Sequence, residues 1–169
     1  NMGTITKALL ALGVCIILTT VFAMIAGFFM ARFKMHPFIS TMANMLIIFG
    51  LVTYATKGVS FGAIDPAIPK AGRFPMIILW AIIAVVVVWF IWNKTTFGKN
   101  LYAVGGNPEA ATVSGISVFK VTMGAFIMAG ILYGFGSWLE CLRMVGSGSA
   151  AYGQGWDMDA IAACVVGGV

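Results

Sequence analysis

Two long apolar runs, 76–92 and 121–142, flank an interval that reads Lys94-Thr-Thr-Phe-Gly-Lys-Asn-Leu-Tyr-Ala-Val-Gly-Gly-Asn-Pro-Glu-Ala-Ala-Thr-Val-Ser-Gly115. The runs are suited to lipid and the interval to water, so the chain must cross a membrane boundary at each end of it. Inside the interval, Asn107 to Ala111 reads as the start of a short helix. Asn107 can cap free backbone donors, Pro108 suits the first helical position, and Glu109 complements the positive end of the helix dipole. Ala110 and Ala111 favour helix, and Gly115 is a natural stop. A helix that short is not stable alone in water, which implies that it docks onto something.

Composition agrees with the run pattern. Apolar residues make up 61% and charged residues 9% of the chain. A soluble domain has about half and about a quarter, so the reading is an all-α polytopic membrane protein, a helical bundle. Four spans are expected, at about 8–31, 38–55, 76–92 and 121–142. Lys7 and Arg32 bracket the first, Pro37 opens the second, Trp89 and Trp92 mark a membrane interface in the third, and Lys120 and Arg143 bracket the fourth. The net charge of +5 comes from single basic residues at span ends, so no nucleic-acid partner is implied. Cys15, Cys141 and Cys164 lie in or beside apolar segments and read as free packed thiols.

Beyond 142 the chain is looser, rich in Gly and Ser up to Trp156, and then carries Asp157, Asp159 and an apolar run at 160–169. That run is expected to be either a truncated span or a broken, partly re-entrant element. With Asn1 at the start and Gly167-Gly168-Val169 at the end, the chain is expected to be part of a larger membrane protein. Counting Lys and Arg on the two faces gives a tie. The short basic turn 32–37 nonetheless favours placing 32–37 and 93–120 in the cytoplasm, with 56–74 and 144–157 outside.

The sequence Glu109-Ala110-Ala111-x-x-x-Gly115 resembles the E-A-A-x-x-x-G signature of bacterial ABC-importer permeases. Three further blocks sharpen the resemblance: Trp92 to Asn100, Gly105 to Ala111, and Asp159-Ala-Ile-Ala-Ala-Cys-Val-Val-Gly-Gly168, with His36 to Thr41 in support. Together they are similar to the monosaccharide-importing permeases of the ribose/galactose type, and within those to the galactose/methyl-galactoside importers. Loop 56–74 departs from that pattern. The resemblance implies a chain that is a fragment of a permease of about ten spans, multi-pass in the bacterial cytoplasmic (inner) membrane. It also implies that 93–120 is a cytoplasmic coupling loop. Asn107, Pro108, Glu109, Ala110, Ala111 and Gly115 would form its coupling helix, inserted in a groove of a separate ABC ATP-binding subunit. The remaining implied partners are a periplasmic or extracellular sugar-binding protein, a second permease subunit completing a homodimer, and membrane lipid.

The sequence has no G-x-x-x-x-G-K-[ST] phosphate loop, because position 93 is Asn where Gly98-Lys99 would need an upstream glycine. The chain is therefore not expected to be an enzyme, and no cofactor or metal site is expected; His36 has no ligand partners near it in sequence. Phe97 to Tyr102 and Ser114 to Lys120 would be the arms that carry the motion. The sugar-path candidates are Asn44, Trp156, Asp157 and Asp159. Asn44 could meet a passing hydroxyl or make an interhelical amide bond, and Asp159 could touch sugar or cap a helix. Trp156 beside Asp157 suits a pyranose with one apolar and one polar face. Glu140 and Arg143 are spaced to pair on one helix. Gly130-x-x-x-Gly134 and the row Ala23, Gly27, Ala31 form close-packing faces, within one subunit or between two. A ribose or other small-solute ABC permease is the nearest alternative. An ion-coupled secondary transporter, which should show inverted repeats and mid-span charges, and a non-transporting assembly subunit are the readings from other classes.

Overall fold

The computed structural model describes residues 2–59, 75–144, 148–149 and 152–168. Among them lie seven helices: α1 Met2–Phe33, α2 Pro37–Thr56, α3 Met76–Lys94, α4 Thr96–Gly106, α5 Pro108–Val113, α6 Val118–Arg143 and α7 Trp156–Val166. Four of them are long and apolar enough to cross a membrane: α1 from Thr6 to Phe33, α2, α3 and α6. Each contains one of the four expected spans. The chain is thus all-helical over its described residues, as the apolar runs require.

Local chemistry sets the boundaries. α1 ends in the basic turn, where Lys34 takes a positive φ of 52°. His36 is extended, as a residue before proline must be, and Pro37 opens α2. At the far end of α2, Lys57 turns left-handed, and the N–H groups of Lys57 and Gly58 donate to the carbonyls of Tyr54 and Thr53.

The strongest association is between α1 and α6, antiparallel and face to face. It is made possible by missing side chains. A Cβ on Gly130 would lie 2.6 Å from the Thr20 Cα, and one on Gly134 would lie 2.5 Å from the Ile16 Cα. Ala23 lies against Gly130, and Gly27 leaves room for the Phe126 ring. Across this seam Thr19 Oγ1 donates to the Gly130 carbonyl at 2.8 Å, and Trp138 Nε1 to the Ala8 carbonyl at 3.0 Å. The small-residue faces are therefore used within this chain. Lipid offers no hydrophobic drive for helix pairing, so close backbone approach and such hydrogen bonds must supply it.

α2 folds back on α1 in a matching register. Ser40 Oγ donates to the Ala26 carbonyl at 3.1 Å, and one turn on, Asn44 Nδ2 donates to that of Phe22 at 3.3 Å. α3 has no buried residue and meets α6 mainly through Trp80, whose ring stands edge-on to Phe135 and Trp138.

The antiparallel seam decides which ends coincide. Phe119, at the start of α6, meets Phe28, near the end of α1, with ring centroids 6.5 Å apart. The 34–36 turn, α4 and α5 consequently share one end of the bundle, while α7 follows α6 at the other. Two expectations need correction. The interval 93–120 is not a plain loop with one short helix, because α4 occupies its first half. The element expected at 160–169 begins earlier, at Trp156, because Gly155 takes a φ of 92° as its N-cap; Asp159 is thus not the cap but lies with Asp157 in the first turn. Most of loop 56–74 lies outside the described residues, and 144–157 is described only in part.

Candidate coupling site

The site is built outward from the end of α3. Thr95 breaks the helix by turning extended, and its hydroxyl then works in two directions. Thr95 Oγ1 donates back to the Ile91 carbonyl at 2.6 Å and accepts from the Gly98 N–H at 3.3 Å, which caps α4. The corner is tight enough to require glycine: a Cβ on the buried Gly98 would stand 2.0 Å from the Trp92 carbonyl oxygen. Next to it, Phe97 reaches across to α6, where a Cβ on Gly124 would lie 2.6 Å from its ring.

α4 passes directly into α5 through one residue. The Asn107 N–H donates to the Ala103 carbonyl, ending α4. Its side-chain Oδ1 accepts from the N–H groups of Glu109 and Ala110, both at 3.0 Å, beginning α5. Pro108 holds the first position and Glu109 lies in the first turn. The cap and the proline therefore stand as their order in the sequence implied. At the other end Gly115 has a φ of 82°, which lets the Ile116 N–H bond the Ala111 carbonyl at 3.0 Å. Only glycine takes that conformation without strain. Ser117 then caps α6 through the Lys120 N–H.

Of α5 only Ala111 is buried, at 3% exposure, whereas Val113 is 90% exposed. Glu109 is exposed and, among the described residues, makes no ion pair. This is a rigid, twice-capped knob that projects an apolar side chain and a carboxylate from the bundle end. Apart from Ala111, the residues of this six-residue helix are left exposed by the rest of the described chain.

The remaining sequence candidates are dispersed. The Asn44 amide is spent on the Phe22 carbonyl, the interhelical use of such a group. Trp156 and Asp157 share the first turn of α7 at the opposite end, and the Trp156 ring meets Tyr152 at 5.3 Å. Asn44 is therefore not brought together with them. Glu140 and Arg143 do pair, and Tyr152 joins them: its hydroxyl donates to Glu140 Oε1 at 2.6 Å and accepts from Arg143 Nη2 at 3.1 Å. That bond to Glu140 pushes the Tyr152 phenol above its ordinary pKa. Spacing alone did not reveal Tyr152, which is brought in by the chain reversal after α6. Nor did it reveal the Phe97–Gly124 contact.

The described residues thus combine four helices long and apolar enough to cross a membrane with a short capped helix at one end. A protein-family model described as "Branched-chain amino acid transport system / permease component" matches residues 2–169, and the chain belongs to that family. It is similar to the galactose/methyl galactoside import permease protein MglC of Treponema pallidum (strain Nichols), 50% identical over 96% of this chain and 33% of that protein. The Escherichia coli K12 protein of the same name is 41% identical over 100% of this chain and 53% of its own length. The ribose import permease protein RbsC of Bacillus subtilis (strain 168) is 33% identical over 84% of this chain and 46% of its own length. The chain thus spans between a third and about half of the curated relatives it matches. No solved structure matches it.

Proposed function

We propose that this chain belongs to the membrane-spanning permease subunit of an ATP-driven importer of monosaccharides, galactose or methyl galactoside above ribose. On this reading α5 is the coupling helix. It faces the cytoplasm and inserts into a separate ATP-binding subunit, while a sugar-binding protein delivers substrate to the α7 end and a second permease subunit completes the path. The membrane is the bacterial cytoplasmic membrane.

One observation carries the reading: α5 is built to be rigid and left nearly uncovered at the end shared with the basic turn 34–36. The names of the relatives at 41–50% identity support the sugar. ATP hydrolysis falls to the partner, since this sequence has no phosphate-binding loop. An alternating-access permease needs only a path that contacts sugar weakly enough to release it.

The test is reconstitution of the full-length permease with its ATP-binding subunit and receptor in vesicles. Labelled galactose should accumulate with ATP and in preference to ribose. Preferential ribose uptake would overturn the substrate but keep the importer. Uptake that ignores ATP and collapses with the ion gradient would overturn both.

A further inference from the structure

α4, α5 and the start of α6 are joined in sequence at Asn107 and at 114–117, and both joints are single-chain connections. Besides these joints α5 is held through its buried Ala111, which does not by itself fix the start of α4 against α6. A third contact changes that. Phe97, on the first turn of α4, sits on Gly124 of α6 closely enough that a Cβ there would lie 2.6 Å from Cε2 and 3.1 Å from Cζ. It closes α4, α5 and α6 into a triangle. The α3 end of α4 is fixed as well, by the Thr95 hydroxyl bonded both ways and by Gly98 pressed on the Trp92 carbonyl.

We infer that Phe97 seated on Gly124 is the joint through which displacement of α5 is delivered to α6, with the Thr95–Gly98 corner delivering it to α3. Phe97 and Gly124 are positioning residues that act through the helices and touch neither sugar nor nucleotide. This inference rests on the reading of α5 as the coupling helix, and it specifies how that helix is geared to the spans. A knob held at Asn107, Ala111 and Gly115 but not tied through α4 to α6 would absorb part of a push by rotating. A knob on a closed triangle must pass the push on, and an aromatic ring on a glycine gives rigid contact without a flexible side chain between backbone and backbone.

The experiment uses the full-length permease reconstituted with its receptor and ATP-binding subunit. It measures co-purification of the ATP-binding subunit, receptor-stimulated ATP hydrolysis, and sugar moved per ATP. Phe97→Ala should leave α5 docked and hydrolysis stimulated while sugar moved per ATP falls about fivefold or more, the lower end of intersite coupling effects. Gly124→Ala should do the same by expelling the ring, and the pair Phe97→Leu with Gly124→Ala should recover most of the loss by returning the space that the added methyl takes. Unchanged sugar per ATP in Phe97→Ala, or a pair no better than Gly124→Ala alone, would overturn the joint. Loss of the ATP-binding subunit from Phe97→Ala would also overturn it, because the ring would then be supporting docking. Normal coupling in Gly115→Val would instead overturn the reading of α5 itself, whatever Phe97 does.

Discussion

The α1–α6 seam yields a quantitative prediction for Gly134→Ala. The added methyl would find the Ile16 Cα at 2.5 Å, the Ile16 nitrogen at 2.8 Å and Thr19 Oγ1 at 2.7 Å. Two of these are backbone atoms, which cannot turn aside. Carbon atoms rest at about 3.5–4.0 Å, so the helices must part by about 1 Å at this level. One turn away, the Thr19–Gly130 hydrogen bond of 2.8 Å would stretch out of range. Overpacking of this kind costs about 1–3 kcal/mol and an interhelical hydrogen bond in lipid about 0.6 kcal/mol, giving about 1.6–3.6 kcal/mol together. Gly136→Ala is the internal control: it lies on the same helix, nothing stands within 4 Å of its added methyl, and it carries the same gain in helix propensity. The difference between the two variants therefore isolates the seam. Unfolding of the purified full-length protein in mixed micelles, titrated with denaturing detergent, should show Gly134→Ala less stable by that amount. Equal stability of the two variants would refute the close backbone approach.

Three further outcomes are expected. Asn107→Ala should remove the acceptor for two N–H groups and destabilise α5 by about 1 kcal/mol, lowering both uptake and co-purification of the ATP-binding subunit; Gly115→Val should do the same through its φ of 82°. Single cysteines at Asn107 and Val59 in a cysteine-free protein should label with impermeant reagents from opposite sides, and same-side labelling would sink the arrangement of ends. Asp157→Asn should lower the transport rate modestly and leave the galactose-to-ribose ratio unchanged, since a loosely discriminating path does not choose the sugar.

What could be read in the sequence is what short-range chemistry determines. The four spans follow from apolar length, and the ends of α5 follow from Asn107, Pro108 and Gly115, because caps are satisfied within a few residues. α4 was not legible, since Gly98, Gly105 and Gly106 argue against a helix by propensity. It forms because Thr95 caps it, because Gly98 fits against the Trp92 carbonyl at the end of α3, and because Phe97 fits Gly124 on α6. The start of α7 was misplaced for a related reason: the aspartates resemble caps, but Gly155 can take a positive φ and opens the helix earlier. Asn44 was ambiguous because its partner, the Phe22 carbonyl, lies on another helix. The small-residue faces could not be assigned to one subunit until α1 and α6, more than a hundred positions apart, were seen against each other.

On the proposed function, the tight packing of that seam bears on where sugar could pass. A hexose carries a ring of hydroxyls and needs space and hydrogen-bonding groups along its route. Between α1 and α6 the backbones touch at two glycines, and the Thr19 hydroxyl and Trp138 indole cross the seam already committed to carbonyls. α2 is tied to the same pair through Ser40 and Asn44. Close backbone approach and interhelical hydrogen bonds thus tie these three helices to one another. α3, with no buried residue and only an aromatic cluster and a corner to hold it, is the leaf hung on them. On the proposed function, sugar would pass beside these three helices rather than between them.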